Sequence, residues 1–131
     1  MNLITATIRD IKKHQNISAL RFDALGFELG MVALEIDETL QIGAVVNLKA
    51  KATNIALAKE INRQLSISNQ LKGRVVEINH GEILCSVKLK VQETTLESII
   101  TEHSAIAMNI NIGDTIVALI KASDISIAPS L

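Results

Sequence analysis

Short runs in which apolar and polar residues alternate cover much of the first half of the chain. They occur at residues 8–11, 17–22, 29–36 and 45–51, and Gly, Asn or charged residues separate them. Because successive side chains of a strand point to opposite faces of a sheet, this alternation predicts half-buried β-strands. The same order of runs recurs in the second half, so the pattern predicts a protein built mainly from strands.

The breaks between these runs predict turns and one short helix. The Asn-His-Gly sequence at residues 79–81 predicts a hairpin turn in which Gly81 takes a positive φ, and Gly26 is expected to do the same. Residues 102–108 predict a short helix directly after a strand. The matching residues 35–40 in the first half predict little more than a turn.

The two halves of the chain are related by an internal repeat. Residues 1–11 align with residues 68–78 without a gap, which places Asn2 over Asn69 at an offset of 67 residues. Apolar character is preserved at matched positions across the next two strands. The repeat therefore describes a duplicated structural unit rather than a local similarity.

Later landmarks of the repeat match at a larger offset. Residues 42–43 (Ile-Gly) match residues 112–113, and Lys-Ala-Thr at 51–53 matches Lys-Ala-Ser at 121–123, both at an offset of 70 residues. The second copy thus carries three additional residues, which we place within the segment around residues 104–109. This insertion coincides with the predicted helix.

The repeat predicts two modules, one at residues 1–60 and one at residues 66–131. The connecting residues 59–65 contain neither Gly nor Pro, and we expect them to be partly helical. Modules of about 65 residues lie near the lower limit of independent folding. The predicted fold class is all-β, with two tandem OB-like five-stranded β-barrel modules and a short helix.

Composition and charge exclude several classes of partner. The chain is 48% hydrophobic but only 2% aromatic, and its formal net charge is −1. An OB-like barrel that binds nucleic acid normally offers aromatic stacking residues and a basic groove, so we expect no nucleic-acid partner. No secretory signal and no apolar segment of membrane-spanning length is readable, so we expect a cytoplasmic protein without a membrane partner.

The reactive side chains do not form a recognisable catalytic or metal motif. Cys85 is the single cysteine, which excludes an intramolecular disulfide, and its strand-like context predicts a buried, unreactive thiol. His14, His80 and His103 show no metal-ligand spacing, so we assign them no role. We therefore expect no enzymatic activity, no directly ligated metal and no cofactor.

Several segments resemble a known family. The run Ser-Ile-Ser-Asn-Gln-Leu-Lys-Gly at residues 66–73 resembles the opening motif Ser-Ala-Arg-Asn-x-Leu-x-Gly, and residues 112–114 resemble a Val-Gly-Asp step. Residues 121–123 resemble the Lys-Ala-Ser/Thr segment that ends the module, with residues 51–53 as the counterpart in the first copy. Over nearly its whole length the chain resembles the molbindins, or Mop domains, of the TOBE group of OB-like modules, as a tandem pair.

The resemblance implies a function and an assembly. Modules of this family form trimers and bind molybdate or tungstate in pockets at the subunit interfaces. It therefore implies a homotrimer that binds one of these oxyanions for storage, buffering or delivery. The alternative is a regulatory or protein-interaction module that senses the anion without storing it.

The resemblance also assigns candidate ligands. The oxygens of molybdate only accept hydrogen bonds, so the site requires converging donors and no carboxylate in contact with the anion. Neutral donors in a partly buried pocket also disfavour protonated phosphate, which must itself donate a proton. The candidate residues are Ser66, Ser68 and Asn69 at the start of the second copy, Lys121, Ala122 and Ser123 at its end, and Lys51, Ala52 and Thr53 in the first copy.

The chain departs from the family pattern at two places. Ser68 stands where the family has an Arg, which removes a charged and potentially bidentate donor and is expected to lower affinity. The first copy starts at Met1, so its contribution is expected from Lys51, Thr53 and Asn2. The competing interpretations are ordinary ones, in which the lysines are solvated surface charges and the polar run before the strand forms a turn.

Overall fold

The computed structural model describes residues 1–61 and 64–129, and strands dominate this part of the chain. These residues contain ten strands, one α-helix and two 3₁₀ turns, the first at Ala52–Asn54 and the second at Ala122–Asp124. The helix is α1 (Glu102–Ala107). The strands are β1 (Asn2–His14), β2 (Ile17–Ala24), β3 (Phe27–Ala33), β4 (Val45–Ala50), β5 (Ala56–Ala58), β6 (Asn69–His80), β7 (Leu84–Val91), β8 (Thr94–Thr101), β9 (Thr115–Ile120) and β10 (Ser126–Ile127).

The strands form two five-stranded sheets, which confirms the predicted all-β fold. The first sheet has the order β10-β4-β1-β2-β3 and the second has the order β5-β9-β6-β7-β8. Each sheet therefore takes four strands from one sequence copy and its fifth strand from the other copy. The module boundaries at residues 1–60 and 66–131 remain a prediction. Each hydrogen-bonded sheet includes one strand from the other predicted module.

The long first strand of each copy bends at a β-bulge. The register of β1 shifts between Ile8 and Asp10, and that of β6 shifts between Val75 and Glu77. A bulge adds one unpaired residue, which bends the strand and increases its twist. The bulges lie at matching positions of the repeat, so both sheets curl at the same point.

The alternation along the strands places one face of each sheet in a common apolar core. The core consists mainly of Ile, Leu and Val, with Phe22 as its one fully buried aromatic side chain among the described residues. Side chains at repeat-related positions are buried in both copies. Examples are Ile8 with Val75, Leu20 with Val87, Phe22 with Leu89, and Leu29 with Leu96.

Two buried asparagines join the copies across the edges of their sheets. The Asn69 side chain donates from Nδ2 to the Gly30 carbonyl (2.8 Å) and accepts at Oδ1 from the Gly30 N–H (2.7 Å). The Asn2 side chain does the same with the backbone of Glu97, at 2.8 Å for both bonds. Since β3 and β8 are edge strands, each carboxamide pairs with backbone groups that no neighbouring strand engages.

The short helix predicted for the second copy is present as α1 and overlaps the segment that holds the additional residues. Thr101 precedes the helix, and its Oγ1 accepts a hydrogen bond from the Ser104 N–H at 3.1 Å. Ala105 is the buried residue of this helix and packs into the core. No helix in residues 1–61 or 64–129 has the length and apolar character needed to cross a membrane.

Some local predictions differ from the structure. Gly26 has the predicted positive φ of 78°, but Gly81 does not lie in that region. The prediction for Gly81 was wrong because β6 continues to His80, and a side chain at Gly81 would meet the Leu84 carbonyl oxygen at 2.6 Å. Close backbone approach therefore requires this glycine. In the connecting segment, residues 59–61, 64 and 65 are not helical, and residues 62–63 lie outside the described part of the chain.

We expect Gly73→Ala to lower the free energy of unfolding by about 1–3 kcal/mol, because overpacking forces the surroundings apart. A Cβ at Gly73 would lie 2.7 Å from the Lys90 carbonyl oxygen and 2.8 Å from a Val91 methyl carbon. Gly30→Ala is the matched control, since its nearest atom would be 4.0 Å away. Urea denaturation of both variants tests this, and equal losses would contradict the packing argument.

Candidate oxyanion site

The two Lys-Ala-Thr/Ser segments adopt the same backbone conformation. Lys51 precedes the first 3₁₀ turn with φ −72° and ψ 140°, and Lys121 precedes the second with φ −64° and ψ 146°. The carbonyls of Lys51 and Lys121 accept from the N–H groups of Asn54 and Asp124, both at 2.9 Å. The sequence repeat therefore produces two equivalent turns, each beginning with an extended lysine at the end of a long strand.

Exchange of the last strands brings parts of the two copies into one pocket. β10 pairs with β4, with Ser126 opposite Lys49, so the second 3₁₀ turn lies beside the end of β4. The pocket has a volume of about 260 Å³ and includes both Lys51 and Ser123 among its lining residues. A lysine from the first copy and a hydroxyl from the second copy thus face the same space.

A second pair of candidate residues meets at the end of the second sheet. β6 and β9 are antiparallel, and Asn69 pairs with Ile120. The residue before Asn69 and the residue after Ile120, Ser68 and Lys121, therefore lie at the same end of this strand pair. The start and the end of the second copy come together there, as the oxyanion hypothesis requires.

The donors at these two places remain available. Lys51, Lys121, Ser68 and Ser123 are exposed. Within residues 1–61 and 64–129, none of their side chains makes a hydrogen bond or an ion pair. An ammonium or hydroxyl group without an intramolecular partner can donate to a bound anion without first breaking a bond.

Asn69 is placed differently from the other candidates. It is fully buried, and both its carboxamide atoms are bonded to Gly30. A buried carboxamide with these two bonds has little capacity left for a ligand. Its place at the start of β6 instead fixes the strand end that carries Ser68.

The remaining candidates differ in their exposure. Ser66 and Thr53 are exposed, whereas Ala52 and Ala122 are half-buried at the first positions of the 3₁₀ turns. The N–H groups at the start of such a turn have no partner within the turn, so the two alanine amides are suitable donors. Neither alanine lines the pocket that contains Lys51 and Ser123.

The pocket that contains Lys51 and Ser123 also contains a carboxylate, which is unfavourable for anion binding. Asp124, at the end of the second 3₁₀ turn, lines the pocket together with Asn54. An ionised carboxylate repels a dianion at short range. Asp124 directly follows the Lys-Ala-Ser segment in the chain and was not among the candidate residues. Lys49 and Lys51 line the same pocket and oppose the charge of Asp124.

A second cluster of reactive side chains lies away from these turns and was missed by the sequence analysis. His80 and Cys85 pair across the β6–β7 hairpin, and Glu102 begins α1. Cys85 is buried, as predicted, but its Sγ lies 3.8 Å from His80 Nδ1. Burial raises the pKa of the Cys85 thiol, and the charge and hydrogen bond of Glu102 raise this pKa further. The sequence signal that could have indicated this cluster is a His and a Cys on opposite sides of one predicted hairpin.

Comparison with known proteins places this architecture in a family. The model of the TOBE domain matches residues 65–127. The structure of the cytoplasmic molybdate-binding protein ModG, in a crystal form with molybdate bound, is 25% identical to this chain. The alignment covers 96% of this chain and 94% of ModG, with a TM-score of 0.89.

A shorter match involves a molybdate-binding protein from Sporomusa ovata. It is 30% identical, and the alignment covers 45% of this chain and 88% of that protein, with a TM-score of 0.44. A search of the curated proteins finds no match. Both the domain match over the second copy and the similarity to ModG over nearly the whole fold agree with the residues that first suggested the resemblance. The chain therefore belongs to the TOBE-domain family, as a tandem pair of molbindin-type modules.

Proposed function

We propose that this protein binds molybdate or tungstate in the cytoplasm, for storage, buffering or delivery, and that it is not an enzyme. The observation that carries the proposal is the similarity to ModG over 96% of this chain. ModG is cytoplasmic and was crystallised with molybdate bound. The available donors at the repeated Lys-Ala-Thr/Ser turns support the transfer of that function to this chain.

The proposed site uses charge-assisted hydrogen bonds to hold a dianion. Lys51 and Lys121 supply positive charge, and Ser68, Thr53 and Ser123 supply hydroxyl donors. The backbone amides of Ala52 and Ala122 add donors that need no side-chain ordering. Bonds of this type are worth about 1.5–3 kcal/mol each when one partner is charged. We assign Ser66 to the rim of the site and Asn69 to positioning Ser68.

The family resemblance further supports a homotrimer with sites completed between subunits. The candidate donors in one chain lie at two separate places, one around Lys51 and Ser123 and the other around Ser68 and Lys121. Contact with a second subunit provides the additional donors and exclusion of water that two exposed half-sites need. Multi-angle light scattering of the purified protein tests this assembly, and a stable monomer with full affinity would contradict it.

Isothermal titration with molybdate, tungstate, sulfate and phosphate in parallel tests the proposed function. We expect heat and saturable binding with molybdate and tungstate only, because the proposed lysine, hydroxyl and amide donors favour an unprotonated anion over one that must donate a proton. Sulfate, which is also an unprotonated dianion, controls for size. Absence of binding with all four anions would overturn the proposal.

Lys51→Ala and Lys121→Ala are each expected to weaken molybdate binding about 10- to 100-fold. This corresponds to the loss of one charge-assisted hydrogen bond, at about 1.4 kcal/mol for each factor of ten. Lys13→Ala is the control. Lys13 is an exposed lysine near the C-terminal end of β1, whereas Lys51 lies next to the N-terminal end of that strand. An equal loss of affinity in all three variants would indicate a general charge effect instead of a site.

The storage and sensing roles differ in whether molybdate changes the set of proteins that this protein binds. A pull-down from lysate in the presence and absence of molybdate separates them. Storage and delivery are supported when the set of captured proteins is unchanged by the anion. A partner that is captured only with molybdate, and lost with Lys121→Ala, would assign the sensing role instead.

A further inference from the structure

Three side chains with different metal-binding atoms converge at one corner of the second copy. His80 ends β6, Cys85 is the second residue of β7, and Glu102 is the first residue of α1. Their candidate ligand atoms all lie within 4.8 Å of one another. His80 Nδ1 is 2.8 Å from Glu102 Oε1 and 3.8 Å from Cys85 Sγ.

The donor set is that of a late first-row divalent cation. Zn²⁺ binds thiolate sulfur at about 2.3 Å, and imidazole nitrogen and carboxylate oxygen at about 2.0–2.2 Å, in tetrahedral geometry. Ligand atoms in such a site lie roughly 3.3–3.8 Å apart, as those bond lengths imply. We propose that His80, Cys85 and Glu102 form a binding site for Zn²⁺ or a similar transition-metal ion, distinct from the oxyanion site.

The arrangement of burial suits a metal ion that enters from solvent. Cys85 is fully buried, and the side chain of Glu102 is only 17% exposed. The His80 side chain is about half exposed, at 52%, and forms the outer wall. Three protein ligands with an open outer side leave the fourth position for water or an exogenous ligand.

The cluster is not a general consequence of the module. The positions in the first copy that match His80, Cys85 and Glu102 are occupied by Lys13, Ser18 and Glu35. Ser18 is also buried, so a small polar side chain fits this position of the fold without a thiol. The His and Cys of the second copy therefore add a chemistry that packing does not require.

A cysteine binds a metal as the thiolate, so the buried Cys85 thiol must lose its proton when the ion binds. A divalent cation between the sulfur and the carboxylate favours this loss, and the proton is released to solvent as the metal–sulfur bond forms. The hydrogen bond between His80 and Glu102 is exchanged for two metal–ligand bonds.

Titration of the intact protein with Co²⁺ tests the site by direct spectroscopy. We expect visible bands of tetrahedral Co²⁺ and a near-ultraviolet thiolate-to-Co²⁺ charge-transfer band that saturate at one equivalent per chain. Competition with Zn²⁺ is expected to remove both signals, because Zn²⁺ binds mixed N and S sites more tightly than Co²⁺. No charge-transfer band, or a signal that does not saturate, would overturn the proposal.

Variants at the three positions locate the ion. Cys85→Ser places in the second copy the residue that the first copy has at Ser18, and it is expected to abolish the charge-transfer band. His80→Asn and Glu102→Gln are expected to weaken Co²⁺ binding by at least about 10- to 100-fold, a loss typical of partners that only support a ligand. His103→Asn, which changes an exposed neighbour on α1, is the control.

Folding and oxyanion binding are followed in the same samples. Circular dichroism of Cys85→Ser establishes that the fold persists, and molybdate titration of this variant separates the two sites. Retained molybdate binding with loss of the Co²⁺ signal supports a separate metal site. Undiminished Co²⁺ binding in Cys85→Ser, or equal loss in His103→Asn, would show that the ion does not bind at this cluster.

Discussion

Asn69→Ala is expected to lower the free energy of unfolding by about 2–4 kcal/mol. The substitution removes two partly buried hydrogen bonds at once and leaves the N–H and carbonyl of the half-buried Gly30 without these partners. Unsatisfied buried polar groups cost about 1–3 kcal/mol each, which exceeds the small net gain from an average hydrogen bond. Urea denaturation at a fixed protein concentration measures the loss, since the proposed assembly would make the apparent stability depend on concentration.

Two further variants serve as a matched comparison and a control for Asn69→Ala. Asn2→Ala removes the equivalent pair of bonds to Glu97 and is expected to produce a similar loss. Asn79→Ala removes an exposed bond to Glu77 and is expected to change stability by less than about 0.5 kcal/mol. A loss at Asn69 no greater than that at Asn79 would contradict the role of the carboxamide as a bridge between the copies.

Ile55→Ala is expected to lower the free energy of unfolding by about 2–5 kcal/mol, the range for truncation of a buried Ile. Ile55 lies between the first 3₁₀ turn and β5, and only 1% of it is exposed. Its carbonyl accepts a hydrogen bond from the buried Ser98 hydroxyl of the second copy. Burial of the side chain in the common core and this backbone hydrogen bond together anchor the exchanged strand β5.

The comparison with a surface isoleucine isolates this effect. Ile83→Ala is expected to change stability by less than about 0.5 kcal/mol, because Ile83 is 77% exposed. Ile125, which holds the matching position before β10, is 3% exposed and should behave like Ile55. Equal denaturation midpoints for Ile55→Ala and Ile83→Ala would show that the exchanged strand is not anchored by this side chain.

The strands and their repetition were readable from the sequence because they depend on local pattern. Alternation at residues 17–22 predicted β2, and the offset of the repeat predicted that the second copy would have equivalent elements. Residues 102–108 likewise predicted a short helix, at the place where the second copy carries its insertion. Burial of one strand face is a property of neighbouring positions, so a linear pattern is sufficient to indicate it.

The composition of the candidate site was also accessible to the sequence, but its assembly was not. Lys51 and Ser123 were proposed separately, as ends of different copies, and only the exchange of β5 and β10 puts them in one pocket. The same packing joins the carboxamide of Asn69, a proposed ligand, to the backbone of Gly30. These outcomes depend on contacts between residues far apart in the chain, which no local pattern contains.

The cluster of His80, Cys85 and Glu102 illustrates the same division. The sequence placed His80 in a predicted hairpin turn and Cys85 in a strand, and it predicted that strands of alternating character would be duplicated with a helix in one copy. The tertiary structure alone decided which strand completed each sheet, which polar groups faced one another and which donors stayed free. Local alternation specifies which face of a strand is buried, whereas the partner that buries it is selected by packing of the whole chain.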